Sequence, residues 1–187
     1  PGYSAISQAG SDLGVGPNAW MLNASFFITG LLLIAFALGF FVEMRQMLGK
    51  RRRVACLVLL ILAGIGFITL GIFTEAPATV TLHWTLGLPL ATLPPVVVYA
   101  LAGWQWQRVP GWRGYGWYSL LTVVGTVGSY FLTFAFFNPA SSWSTLHIGG
   151  LMERLFILVI FAWDIVIGWR VFLQAGARQQ ANGKQHT

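Results

Sequence analysis

Six side chains in this sequence have types suited to chemistry: the carboxylates of Asp12, Glu75 and Glu153, the imidazoles of His83 and His147, and the guanidinium of Arg154. They come from separate segments, "SDLG", "TEAP", "TLHWTLG", "STLHIGG" and "GLMERLF". Each lies in a loop or within about two turns of the end of a long apolar stretch. Two histidines and a carboxylate are acceptable zinc ligands, which makes His83, His147 and Glu153 the candidate metal set. Two histidines near one face are also ligand types for a b-type haem. Neither group is assigned, because no close-spaced histidine pair, CxxCH, HExxH, Walker loop or GxSxG is present. The plainer alternative for each residue is a solvated loop charge or a hydrogen-bonded structural histidine.

The elements that must position these groups follow from composition. Of 187 residues, 56% are hydrophobic and only 9% charged, where a soluble domain carries roughly a quarter charged. The mean hydropathy is +0.70. Five apolar stretches reach the ~20 residues that cross a bilayer, at about 19–42, 54–73, 79–103, 115–137 and 148–172. Runs of this length and continuity are helices, not strands. The fold expected is all-α, a polytopic transmembrane bundle over residues 1–173 with a polar cytoplasmic tail at 174–187. The lone Cys56 excludes an internal disulfide framework.

Basic residues set the expected orientation. Arg45, Lys50, Arg51, Arg52, Arg53, Arg108, Arg113, Arg170, Arg178 and Lys184 fall on one side of a five-helix path, leaving Arg154 alone on the other. By the positive-inside rule the basic side and the C-terminus are cytoplasmic, in a prokaryotic inner membrane. The net charge of +6 then reports topology, and no nucleic acid partner is expected. Tryptophans fit two interfacial belts, Trp20, Trp84 and Trp143 on the outer side, with Trp104, Trp106, Trp112, Trp117 and Trp169 on the inner side. Pro1 would lie outside, an unusual start that raises the expectation of a further helix before it, ahead of the alternative of a removed signal.

The outer ends therefore gather all six candidate residues, and the "SDLG" loop can fold over the mouth of the bundle. Glu153 and Arg154 point about 100° apart on one helix, so each needs a partner on another segment. Asp12 or Glu75 is expected for Arg154, and a histidine or hydroxyl for Glu153. Asp164 returns to nearly the face of Glu153 about 16 Å deeper, as an interhelical hydrogen bond or a step on a proton route. Pro89, Pro94 and Pro95 interrupt the third helix and free carbonyls there. Gly125, Thr126, Gly128 and Ser129 form a close-packing surface on the fourth.

The segment "PGYSAISQAGSDLG" before "NAWMLNASFFITGLLL", with "GIFTEAP", "LHWTLG" and "GGLMERLFILVIFAWDI", resembles the domain of unknown function 998 family. The resemblance covers residues 1 to about 172. It implies a multi-pass prokaryotic membrane protein whose opening segment follows a first helix, six in all. The family commonly has a proline in the turn after the GxF step, and here the run reads "GIFTEAP", with Thr74 and Glu75 intervening. It implies no activity.

The function expected is a binding or accessory subunit of a membrane complex, with an outward pocket of Asp12, Glu75, His83, His147, Glu153 and Arg154. Its partners would be the lipid bilayer and other membrane subunits. A metal-assisted hydrolase acting on a lipid, or a proton- or cation-coupled transporter, ranks below it, because no nucleophile or metal motif stands out.

Overall fold

The computed structural model describes residues 2–183, with side chains as far as Ala177. Placements expected for Pro1, Arg178 and Lys184 lie outside that description. Five long helices carry the chain: α1 (Ala19–Glu43), α2 (Lys50–Ile72), α3 (Val80–Trp106), α4 (Arg113–Phe137) and α5 (Gly149–Gly183). All five are long and apolar enough to cross a membrane, and no strand occurs among the described residues. Their bounds fall within a few residues of those read from hydropathy. The last helix continues past its apolar stretch to Gly183.

Alternation of the spans gives the bundle two distinct ends. One carries the opening segment, the turn between α2 and α3, and the connection from α4 to α5. It will be called the acidic end, after Asp12, Glu75 and Glu153. The basic end carries the turns rich in Lys and Arg. There Arg53 lies over the Phe41 ring at 4.4 Å, and Arg170 over Trp112 and Tyr115 at 5.5 and 5.6 Å.

Hydrocarbon offers helices no hydrophobic gain on association, so close backbone approach and dispersion must hold them. Consecutive helices pack side by side from α1 to α5, and α1 touches α5 only lightly. Glycines set the spacing. A Cβ on Gly64 would stand 2.7 Å from the Gly30 carbonyl of α1, and one on Gly116 would stand 2.9 Å from the Gly103 carbonyl of α3. The small-residue face of α4 is partly as expected: Thr126 and Ser129 are buried and Gly125 meets Val159 of α5, but Gly128 faces open space.

The interior is uneven. Its basic half is solid, with Phe40, Met44, Leu60, Cys56, Tyr99, Trp106, Trp112 and Trp163 almost wholly buried. Tyr99 and Trp163 rings lie 4.4 Å apart, Trp106 and Trp112 rings 4.8 Å, and Trp106 stacks on Trp163 at 6.2 Å. The Trp163 indole donates to Ser119 Oγ at 2.8 Å, which satisfies the one polar atom of that ring. Trp106 and Trp112 are thus core residues and not members of an interfacial belt. Trp104, Trp117 and Trp169 are exposed as a belt requires.

If the glycine contact sets the α1–α2 distance, Gly64→Ala must push the helices apart. We expect a loss of about 1–3 kcal/mol, typical of overpacking. Gly39→Ala, whose Cβ would meet nothing within 4 Å, should be neutral or slightly stabilising. Denaturation of both variants in one detergent checks the contrast.

Candidate functional site

The site begins with the opening segment, residues 2–18, which lies across the acidic end as a cap. Its first turn closes on itself: Gln8 N–H donates to the Ser4 carbonyl at 2.9 Å, and Ser4 N–H to Gln8 Oε1 at 2.7 Å. The Tyr3 hydroxyl donates to the Ala9 carbonyl at 2.9 Å. A tight 3-10 turn follows at Ser11–Gly14.

Three features of α5 hold this cap. The Leu151 amide, on a first turn with no intrahelical acceptor, donates to the Ile6 carbonyl at 2.9 Å. Glu153 Oε2 accepts from Gly10 N–H at 2.7 Å. Arg154 donates to the Tyr3 hydroxyl at 2.5 Å, the Gly150 carbonyl at 2.8 Å and the Gln8 carbonyl at 3.4 Å, with its guanidinium 5.9 Å from the Tyr3 ring centre. Gly150 permits the approach, because a Cβ there would strike the carbonyls of Gln8 and Ala5. Arg154 therefore does not pair with Asp12 or Glu75. Its partners are backbone carbonyls and a phenol, and Glu153 takes a backbone amide where a histidine or hydroxyl was expected.

The other side of the cap meets the turn between α2 and α3. Ser11 Oγ donates to Glu75 Oε1. Thr79 Oγ1 donates to the Thr74 carbonyl at 2.7 Å, which steadies the turn that presents Glu75. His83 Nδ1 stands 2.6 Å from the Phe73 carbonyl. A carbonyl only accepts, so Nδ1 carries a proton and donates, capping the C-terminal end of α2. Nε2 lies 3.8 Å from Glu75 Oε1. His83 opens a single π-helical turn, His83–Gly87, ahead of Pro89.

Glu75 is half-buried, and that burial pushes its carboxyl above the usual range. The Ser11 hydrogen bond opposes the shift, while the charges of Asp12 and Glu153 add to it. Asp12, itself half-buried, thus belongs to a carboxyl group cluster and not to an acid–arginine pair.

Below the cap lies a cavity of about 150 Å³. All five helices line it: Leu22 and Phe26 from α1, Phe67 and Leu70 from α2, Leu88 and Ala91 from α3, Tyr130 and Phe134 from α4, Phe156 and Ile160 from α5. Gly10, Ser11, His83 and Glu153 form its roof. Trp84, Thr133, Phe134 and Phe137 are shared with an open groove of about 410 Å³ between α3 and α4. Thr92, Tyr130 and Phe156 are shared with a second groove, of about 130 Å³, deeper between the same helices.

Two candidates do not join the site. His147 is exposed, in the left-handed region at φ 51°, just after the 3-10 turn Ser142–Leu146. The zinc set of His83, His147 and Glu153 is not brought together. Among the described residues no three His, Cys, Asp or Glu side chains are grouped to hold a metal ion. Asp164 does not line the cavity, which reaches Ile160 and Phe161 and stops above the buried Trp163. Its Oδ1 is buried without a hydrogen-bond partner. Conversely, Tyr3, Gly10, Ser11 and Gly150 carry the cap and were not among the candidates. The double glycine ahead of "LMER" was the available signal for a close approach.

An all-helical bundle with five helices long and apolar enough to cross a membrane is a multi-pass membrane protein. It is also a member of a recognised family: residues 1–170 match the one described as "Protein of unknown function (DUF998)", and the chain belongs to it. No curated protein and no solved structure matches the chain.

The raised Glu75 carboxyl gives the cap a pH dependence of definite sign. Opening the cap admits water and returns Glu75 to the ordinary carboxylate range. The closed form therefore holds its proton more tightly, and its advantage is lost as pH rises through the raised value. Asp12, Glu153, His83 and Ser11 are the groups facing Glu75. A spin label at an Ile6→Cys variant, with Cys56 buried, should gain mobility as pH rises, and Glu75→Gln should flatten the profile. Greater mobility at low pH would contradict the assignment.

Proposed function

We propose that this protein binds a membrane amphiphile, with an apolar chain in the cavity and a polar head beneath the cap. The carrying observation is the cavity lined by all five helices, mostly apolar along its walls, with Gly10, Ser11, His83 and Glu153 at its roof. An apolar cavity of roughly this size stays dry and accepts a ligand as large as benzene. The grooves between α3 and α4 extend the available length toward the surface that faces lipid. An amphiphile in the bilayer thus has a sideways path to the cavity through Trp84, Phe134 and Phe137. By the charge rule the basic end faces the cytoplasm of a prokaryotic inner membrane, and the cap faces outward. The reading is of a lipid-binding accessory subunit, which holds its ligand for a partner in the membrane. Among the described residues no three His, Cys, Asp or Glu side chains are grouped as the hydrolase would need, and the cavity that Glu153 lines does not include the Asp164 of the transporter reading.

A lipid carrying a diazirine at its chain end tests this. Photolysis in vesicles should label the cavity walls at 67–70, 88–92 and 130–134 above the background seen at the exposed Leu121 and Val124. Thr133→Trp, which places bulk where cavity and groove meet, should reduce wall labelling severalfold and leave Leu121 unchanged. Equal labelling around the whole lipid-facing surface in the unaltered protein would overturn the reading.

A further inference from the structure

We propose that the basic end of the bundle engages the headgroups of anionic phospholipids, with Arg52 and Arg108 as the contacting side chains. This surface lies at the opposite end from the cavity and does not depend on what the cavity holds. Its charge is one-sided. Positions 45, 50–53, 108, 113 and 170 are all basic, and Glu43 is the one acid that the sequence places there. A single carboxylate cannot balance so many cations. Arg53 and Arg170 are half-buried against aromatic rings, and the others are exposed.

The turns that carry these cations are short and pinned. Residues 44–49 join α1 to α2, and residues 107–112 join α3 to α4. Met44, Met47 and Leu48 of the first turn are buried, as is Trp112 of the second, all in the aromatic plug. Both turns are thus drawn down onto the bundle, and their cations stay close to the membrane surface. Exposed Trp104, Trp117 and Trp169 mark that level. Cations beside interfacial tryptophans meet lipid phosphates, whereas a nucleic acid or an acidic protein requires a basic face standing clear in water. A zwitterionic head carries its own cation, so an anionic head gains more from this surface.

Among the exposed cations, Arg52 and Arg108 are held in place by the last turn of α3. Arg52 Nη1 donates to Gln105 Oε1, and the Arg108 guanidinium lies 5.3 Å from the Trp104 ring centre. An amide and an indole ring fix these side chains without neutralising them. A guanidinium has five N–H donors in a fork that matches phosphate oxygens. Holding it beforehand lowers the ordering cost of binding.

A phosphatidylglycerol carrying a diazirine next to its glycerol tests this in phosphatidylcholine vesicles. Photolysis should label residues 104–117. Unlabelled phosphatidylglycerol should displace the probe about fivefold better than extra phosphatidylcholine, the factor expected from one cation at the surface. Arg52→Gln and Arg108→Gln should each remove most of that preference, and Arg108→Lys, which keeps the charge, should retain it. Arg45→Gln changes the net charge equally and should leave the preference within about twofold. Equal competition by the two lipids in the unaltered protein would overturn the proposal. If Arg45→Gln costs as much as Arg108→Gln, the attraction belongs to the whole end and the assignment to Arg52 and Arg108 falls. A loss in Arg108→Lys as complete as in Arg108→Gln would rule out charge as the cause. If heparin, a soluble polyanion, displaces the probe as well as phosphatidylglycerol does, the partner is not a lipid.

Discussion

Glu153 and Arg154 sit side by side on the first turns of a helix that enters hydrocarbon, and neither can be left there without polar company. Helical geometry keeps them from serving each other. The opening segment supplies what they need, an amide at Gly10 for the acid and carbonyls with a phenol for the base. From this one requirement the rest of the acidic end follows. The segment must lie across the bundle, Gly150 must lack a side chain to admit it, and Ser11 is carried to Glu75. The cap then closes a space that would otherwise be an open mouth.

The two halves of the bundle solve opposite problems. At the basic end, large rings from α3, α5 and the turn before α4 fill the space between helices, and dispersion among them is the main attraction available. At the acidic end, the walls of the cavity stand apart. The same five helices thus hold one rigid plug and one cavity, and the plug lets the walls stay apart without the bundle collapsing. Trp163 marks the boundary: its ring belongs to the plug, and Ile160, one turn earlier, to the cavity wall.

Hydropathy made the helices legible, because a bilayer demands ~20 apolar residues per crossing and leaves few alternatives. The need of Glu153 and Arg154 for partners elsewhere was legible for a similar reason. Their actual partners were not. Every residue carries an amide and a carbonyl, so a sequence cannot indicate which backbone group will face a side chain, and charge pairing pointed to Asp12 instead. His147 joined His83 among the candidates by residue type alone, and its exposed place on a left-handed turn puts it outside the site. Trp106 and Trp112 lie close to basic loops and read as interfacial, although the fold turns them inward. The cavity was beyond reach, since a void is a property of five helices together and of no single stretch.

The π-helical turn at His83–Gly87 adds one residue to the usual turn, and this resets the angular bookkeeping along α3. Counting back from Trp106 at 100° per residue would place His83 on a different side of its helix. The extra residue therefore lets the two ends of α3 be aimed independently. One end keeps Tyr99 and Trp106 in the aromatic plug, while the other turns an imidazole to the α2 terminus and the cavity roof. Losing a single residue from this turn would leave every apolar residue in the chain as hydrophobic as before, yet rotate the roof and the plug out of phase. In this protein one local deformation of the helix is a phase adjuster between two otherwise separate halves.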